Sequence, residues 1–182
     1  RSAIREAYKS YLSKMFQLYG FSADEAAKKA SAVFLHETTL ATFSKSRTEL
    51  RDPQANYNKM TLAEFKENYP NIPLEALANA EGIKSEYLKE MIVGQPAFFA
   101  GYDKVAAAEC AGTLKALMEW DIICSSASYL SDEIREARFE FFGKIMSGRK
   151  EDYPLWKRAT VQVEAQLGEA LGSIHCKRYF PE

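Results

Sequence analysis

IREAYKSYLSKMFQLYGFSADEAAKKASAVF, residues 4–34, is the stretch of sequence that decides the fold. Apolar side chains recur in it at three- and four-residue steps up to Tyr19, which is the spacing of an amphipathic helix. Gly20 ends that helix, because glycine accepts a left-handed backbone at little cost. Ser22 starts a second helix, and Glu25 three positions later completes a capping box. The stretch therefore predicts two helices joined by a tight turn.

The rest of the chain continues the helical pattern, with one irregular stretch over residues 44–60. Asp52-Pro53 and two asparagines in that stretch are residues typical of turns. Met91-Ile92-Val93 could form a strand, but a single strand without a partner is not stable. Further helices are predicted from Thr61 (a capping box with Glu64), over 74–80, from Pro96, over 111–130, over 131–146 with Ser131 as the cap, and over 153–178. We therefore predict an all-α fold, a single multi-helix domain over residues 1–182 with at most a trace of strand.

Composition and charge narrow the class of protein. The 182 residues are 47% hydrophobic and 27% charged, as in an ordinary globular domain. The net charge of −1 argues against nucleic acid or an anionic membrane as the main partner. No apolar run is long enough to predict a membrane span. The chain opens Arg1-Ser2-Ala3 inside a helical pattern, without an initiator Met or a signal peptide, so we expect a piece of a longer protein.

The two histidines do not predict a metal site. His36-Glu37 begins like the zinc-binding box H-E-x-x-H, but the fourth position after His36 is Leu40, which has no lone pair to donate. His175 and Cys176 are neighbours on a predicted helix and point in directions about 100° apart. We interpret both histidines as structural. No residue pattern predicts a catalytic nucleophile or an acid/base pair, so we assign no catalytic or metal-binding residue.

The cysteines and two of the glycines also have structural interpretations. Cys110, Cys124 and Cys176 are far apart and odd in number, unlike a disulfide framework or a zinc ribbon. We predict that they are buried or half-buried thiols. Gly168 and Gly172 have G-x-x-x-G spacing on a helix that also carries charged residues, which favours close helix packing over membrane dimerisation.

Glu37 is the polar residue that calls for an explanation. It lies between Phe34 and Leu40, on the apolar side of the second predicted helix. A buried carboxylate without a partner is costly, and the irregular stretch that follows offers Arg47 and Arg51. We hypothesise that one of these arginines pairs with Glu37 and holds the stretch against the helix. The alternative is that Glu37 lies at the edge of the apolar face and is solvated.

Several segments, in order, resemble the neprilysin family of zinc metallopeptidases, which includes the bacterial PepO-like endopeptidases. Residues 47–62 contain RTELRDP followed by NYNKMTL, similar to the family's R-x-x-x-R-D-P and Y-N-K-M-T segment. Residues 129–148 resemble its Y-L-S, F-F-G and S-G region. Residues 156–181 contain WKR, LGEALG and YFP, similar to a helix of the family. The resemblance covers nearly the whole chain.

The resemblance implies a largely helical, two-domain peptidase in which a helical domain closes over a zinc-containing catalytic domain. The family's motifs H-E-x-x-H, E-x-x-x-D and N-A-Y/F are absent between Arg1 and Glu182, so no catalytic residue, metal ligand or cofactor is expected in this segment, and zinc belongs to the parent enzyme. Substrate-binding residues stay unassigned. The implied role is to wall a chamber that admits short peptides.

The partners implied by the resemblance are the catalytic domain of the same chain, toward which the last helix (about 153–178) leads, and peptide substrates of the parent enzyme. An exported location, in the periplasm, at the cell surface or secreted, is also implied. The alternative is a stand-alone helical binding or scaffold module without peptidase activity. As a fragment, the isolated chain is expected to expose an apolar face where the catalytic domain normally packs, and to self-associate.

Overall fold

The computed structural model describes residues 2–180 and confirms an all-α fold with a trace of strand. The α-helices are α1 (Ser2–Leu18), α2 (Ala23–Phe43), α3 (Leu62–Asn68), α4 (Leu74–Ala80), α5 (Pro96–Ala108), α6 (Ala111–Ser126), α7 (Asp132–Arg138) and α8 (Leu155–Tyr179). A π-helix (Phe139–Met146) follows α7, 3-10 turns span Glu49–Arg51 and Ser85–Leu88, and the strands are β1 (Lys59–Met60) and β2 (Met91–Ile92).

The larger core lies between α1, α2, α6, α7 and the π-helix. Leu12 and Phe16 of α1, Val33 of α2 and Ile123 of α6 are completely buried in it. Gly20 joins α1 to α2 with a φ of 104°, the left-handed conformation expected of a glycine at a helix end. The helical hairpin predicted from residues 4–34 is therefore the base on which the other core helices pack.

Local capping signals set the starts of two helices as predicted. Ser22 and Glu25 form a capping box at α2, and Thr61 and Glu64 form one at α3. The hydrogen bonds from Ser22 hold the pKa of Glu25 below its usual range, because they favour the carboxylate. Ser131 takes the N-cap position of α7 as predicted, although its side chain makes no capping hydrogen bond.

A smaller core lies beside the two-stranded sheet and contains Phe65, Tyr69, Ile72 and Val93. The partner that the sequence did not reveal for the strand at 91–92 is Lys59–Met60, which pairs with it antiparallel. Asp103 of α5 contacts the turn between α3 and α4. Its carboxylate accepts hydrogen bonds from the backbone N of Asn71 at 2.7 Å and from Asn71 Nδ2 at 3.0 Å. Asp103 is buried, so these two bonds satisfy a carboxylate that water hardly reaches.

The predicted helix over 131–146 divides into two kinds of helix. The first half is α7, and the second half is the π-helix Phe139–Met146. Gly143 lets the ring of Phe139 lie against the backbone of this π-helix, because a Cβ at that position would lie 2.2 Å from that ring. The predicted helix over 111–130 is also shorter in the structure, where α6 ends at Ser126.

Candidate interaction surface on the last helix

Glu37 has a different partner from the one hypothesised. The hydroxyl of Tyr8, on α1, donates a hydrogen bond of 3.0 Å to Glu37 Oε1. Arg47 and Arg51 are exposed, and among residues 2–180 no ion pair joins either of them to Glu37. The physical reason is that α1 packs along α2 and brings the Tyr8 hydroxyl to the half-buried carboxylate of Glu37. The stretch after α2 instead forms turns through local hydrogen bonds.

The irregular stretch holds its shape through hydrogen bonds between its own side chains and backbone. Asp52 Oδ1 accepts bonds from the backbone N of Gln54 and Ala55 at 3.0 and 3.1 Å. Asn56 Nδ2 donates to the carbonyl oxygen of Leu50 at 3.0 Å. The turn interpretation of this stretch agrees with these bonds, which need no contact with Glu37.

The histidines occupy separate parts of the molecule. His36 Nδ1 lies 2.7 Å from Glu109 Oε2, which links α2 to the end of α5. His175 packs against the rings of Tyr179 and Phe180 at the far end of α8. In the part of the chain that the structure describes, no three His, Cys, Asp or Glu side chains converge as metal ligands. The described donor set therefore does not fit zinc.

Cysteine burial differs from the prediction at two of the three positions. Cys124 is half-buried, and burial raises the pKa of its thiol. Cys110 and Cys176 are exposed, because they lie at the start of α6 and on α8 rather than in a core. Hydrogen bonding with Thr113 lowers the pKa of the Cys110 thiol.

The exposed last helix is the feature of this structure that most needs explaining. α8 has 25 residues, yet none of its side chains is buried. A stripe of large apolar side chains runs along it; we call this the α8 stripe, and it consists of Trp156, Val163, Leu167, Leu171 and Ile174. The exposed fractions of these residues are 69%, 47%, 55%, 44% and 63%.

Such a helix cannot owe its stability to contacts within the described chain. Most helical stability in proteins comes from packing an amphipathic face, and isolated helices are marginal in water. Among the described residues, α8 is shielded from solvent only in its first turns, where Arg158 and Gln162 are half-buried. The Tyr129 hydroxyl donates a 2.7 Å hydrogen bond to Gln162 Oε1. The α8 stripe is therefore suited to pack against another protein surface.

Gly168 and Gly172 leave part of α8 open to close approach. A Cβ at either position would meet no atom within 4 Å, so within residues 2–180 the close helix packing predicted for them does not occur. The helix also departs from helical geometry at Leu167, with φ −123° and ψ 18°. None of the described helices is long and apolar enough to cross a membrane.

The sequence is similar to those of known proteins. The N-terminal model of peptidase family M13 matches residues 1–182. The neutral endopeptidase of Lactobacillus helveticus is 27% identical over 168 residues, which cover 92% of this chain and 26% of the relative. Human endothelin-converting enzyme 1 is 24% identical, with 96% of this chain and 23% of the relative covered.

The fold is also similar to a solved structure. The cryo-EM structure of the zinc metalloprotease Zmp1 of Mycobacterium tuberculosis in its open state matches with a TM-score of 0.93 and 27% sequence identity. The match covers 98% of this chain and 28% of Zmp1. The chain thus spans about a quarter of the length of the curated relatives and of the solved structure that it matches.

Proposed function

This chain belongs to peptidase family M13, and on that premise we propose that it is the helical, non-catalytic segment of a zinc metalloendopeptidase. In the whole protein it walls the chamber in which peptides are cut and restricts substrates to short peptides. The zinc ion and the residues that activate water lie in the rest of the polypeptide. We also propose that residues 1–182 form one domain and that α8 leads toward the catalytic part.

The observation that carries this proposal is the exposure of α8. A helix of 25 residues with no buried side chain has its apolar stripe free for a partner. Burying a Leu or Ile side chain contributes about 1.5–3 kcal/mol relative to full exposure, so covering the α8 stripe contributes several kcal/mol to association. The catalytic part of the same polypeptide is the partner that the family relationship supplies.

Self-association of the isolated chain tests the docking role of α8. We expect a concentration-dependent dimer or weak aggregate in sedimentation velocity, because the α8 stripe is uncovered. Leu171→Glu should shift the chain toward monomer. Leu114→Glu is the matched control, because Leu114 has a similar exposure of 46% but lies on α6 rather than on α8. A strict monomer across a wide concentration range, or equal effects of the two variants, contradicts a docking role for the stripe.

Peptide hydrolysis tests the enzyme of which the chain is proposed to be a part. A polypeptide that carries this chain together with its catalytic part is expected to cut short peptides and to leave folded proteins intact. Removal of zinc by a chelator should abolish the cutting. Equal rates on short peptides and folded proteins would contradict the chamber-wall role. A polypeptide inactive on every peptide with zinc present would favour the stand-alone binding module instead.

An exported location is the remaining part of the proposal, and it rests on the resemblance to the neprilysin family. Cell fractionation with an antibody to this chain tests it. We expect the protein in the periplasm, at the cell surface or in the medium. Recovery with the cytoplasmic fraction alone would contradict export.

A further inference from the structure

A cavity at the base of α8 carries an excess of positive charge. It has a volume of about 470 Å³ and lies between α7, the π-helix and the first turns of α8. Its lining includes four arginines, Arg135, Arg138, Arg149 and Arg158, and Asp152 is the one carboxylate among its described lining residues. We call this site the arginine cavity. Its volume lies within the range of ordinary small-molecule sites.

Two of the four guanidinium groups are already neutralised. Asp152 lies 2.8 Å from Arg135 and 3.5 Å from Arg149, and Arg135 also pairs with Asp132 at 3.0 Å. Asp152 therefore neutralises charge on Arg135 and Arg149. Its carboxylate makes no described contact with the other two.

Arg138 and Arg158 are left without a counterion. Neither forms an ion pair among residues 2–180, and the Nε atom of each is buried without a hydrogen-bond partner. A buried N–H group of a charged side chain without an acceptor is costly, since it has lost water and gained nothing. The two arginines come from different elements, α7 and α8, and both line the same cavity. Both residues line the cavity and neither guanidinium has a counterion among residues 2–180, so a carboxylate bound in the cavity would supply one.

Three aromatic rings, those of Phe139, Phe142 and Tyr153, also line the cavity. The guanidinium of Arg138 lies 5.3 Å from the ring centre of Phe142. Arg149 lies 3.9 Å from the ring centre of Tyr153 and 5.3 Å from that of Phe139. These cation–π contacts orient the arginines and leave apolar surface beside them. A ligand that combines one negative charge with an apolar body matches this lining better than a bare inorganic anion does.

We propose that the arginine cavity binds a carboxylate attached to an apolar group, with the carboxylate held by Arg138 and Arg158 and the apolar group packed beside Phe139 and Phe142. Guanidinium and carboxylate groups form charge-assisted, often bidentate hydrogen bonds, which suits this pairing. The inference goes beyond the proposed function, because no residue of the α8 stripe lines the cavity. The carboxylate comes either from a free organic acid or from an acidic side chain elsewhere in the polypeptide.

Binding of benzoate and benzamide to the 182-residue chain tests the proposal by calorimetry or NMR titration. The two probes have similar shapes, but only benzoate carries a charge. We expect benzoate to bind at least about tenfold more tightly, since the charged hydrogen bonds are lost with the amide. Equal affinities, or no binding of benzoate, overturn the proposal, and this comparison needs no variant that might fold poorly.

Three variants locate the binding. Arg138→Gln and Arg158→Gln should each weaken benzoate binding by about tenfold, because each removes one charged donor. Arg47→Gln is the matched control, since it makes the same change of charge at an exposed arginine outside the cavity. Equal weakening by all three variants would show a general charge effect and overturn the proposal.

A parallel titration of a longer polypeptide that includes the catalytic part identifies the source of the carboxylate. Benzoate binding to both proteins identifies a free organic acid as the occupant. Benzoate binding to the 182-residue chain but not to the longer polypeptide identifies an acidic side chain of the rest of the polypeptide as the occupant, because that side chain then excludes benzoate from the cavity. Both results support a carboxylate site.

Discussion

Replacing Tyr8 with Phe tests the contact that holds Glu37. The Tyr8 hydroxyl donates a hydrogen bond of 3.0 Å to Glu37 Oε1, across the interface of α1 and α2. A hydrogen bond to a charged group contributes about 1.5–3 kcal/mol, and because both side chains are half-buried, water recovers part of it, so we expect a loss of about 1–2 kcal/mol. With a urea m-value of about 2 kcal/mol/M, the midpoint of unfolding should fall by about 0.5–1 M.

The controls separate the hydroxyl from other causes. Tyr8→Phe keeps the ring that packs against Phe34, so the loss reports the hydrogen bond. Tyr87→Phe makes the same chemical change at a side chain that is 67% exposed, and it should leave the midpoint unchanged. Arg47→Ala and Arg51→Ala should stay within about 0.5 kcal/mol of the parent, as exposed substitutions do. A stable Tyr8→Phe together with an arginine variant that loses a few kcal/mol would refute the reasoning and restore the arginine clamp.

Three further predictions concern helix caps, tight packing and a buried carboxylate. Ser22→Ala should cost about 0.5–2 kcal/mol in urea denaturation and Ser131→Ala almost nothing, because only the first side chain makes a capping hydrogen bond. The pKa of Glu25, the capping-box glutamate, is lowered in the folded state. Its contribution to the free energy of unfolding is therefore present above its unfolded-state pKa of about 4.3 and is lost as the pH falls through its folded-state pKa. The destabilisation by Ser22→Ala should shrink in acid, and a destabilisation that grows there would contradict the role of the capping box. Gly101→Ala should destabilise by about 1–3 kcal/mol, because the new Cβ would lie 2.2 Å from the half-buried ring of Phe43 at the end of α2, whereas Gly112→Ala has room and should be neutral or stabilising in a thermal melt. Asp103→Ala should destabilise the fold by about 1–3 kcal/mol, because the backbone N–H of Asn71 loses its acceptor. Hydrogen exchange at the Asn71 amide should become faster, and an unchanged exchange rate would contradict a hydrogen bond from this amide to Asp103.

Features that depend on neighbouring residues were predictable from the sequence. The turn at Gly20 and the capping boxes at Ser22 and Thr61 follow from residues within one helical turn. The all-α class follows from the spacing of apolar residues along the helices. The strand at 91–92 could not be placed in the same way, because its partner at 59–60 lies in a stretch without a strand pattern.

The partner of Glu37 was missed, although the sequence contained a signal for it. Tyr8 lies on the apolar face of the first predicted helix, and Glu37 lies on that of the second. In an antiparallel helical hairpin the apolar faces of the two helices pack against each other, so a polar group on the apolar face of α1 is a candidate partner for Glu37. Arg47 and Arg51 are nearer to Glu37 in the sequence than Tyr8 is, but the packing of the hairpin, not nearness in the sequence, identifies the partner of Glu37.

The arginine cavity was beyond the reach of sequence patterns for a different reason. Arg138 and Arg158, which form no ion pair among residues 2–180, come from α7 and α8, and no short motif joins them. Their lack of counterions becomes visible only when the ion pairs around Asp152 are known. A tertiary charge balance of this kind cannot be obtained from the spacing of residues.

The most direct test of the central claim is the sequence of the native coding region downstream of Glu182. If the chain is the non-catalytic segment of an M13 zinc peptidase, the reading frame continues and encodes H-E-x-x-H followed by E-x-x-x-D, the motifs that supply the zinc ligands and the general base. A stop codon at or near Glu182 would contradict the claim and leave a self-contained helical module, whose α8 stripe then serves a separate partner.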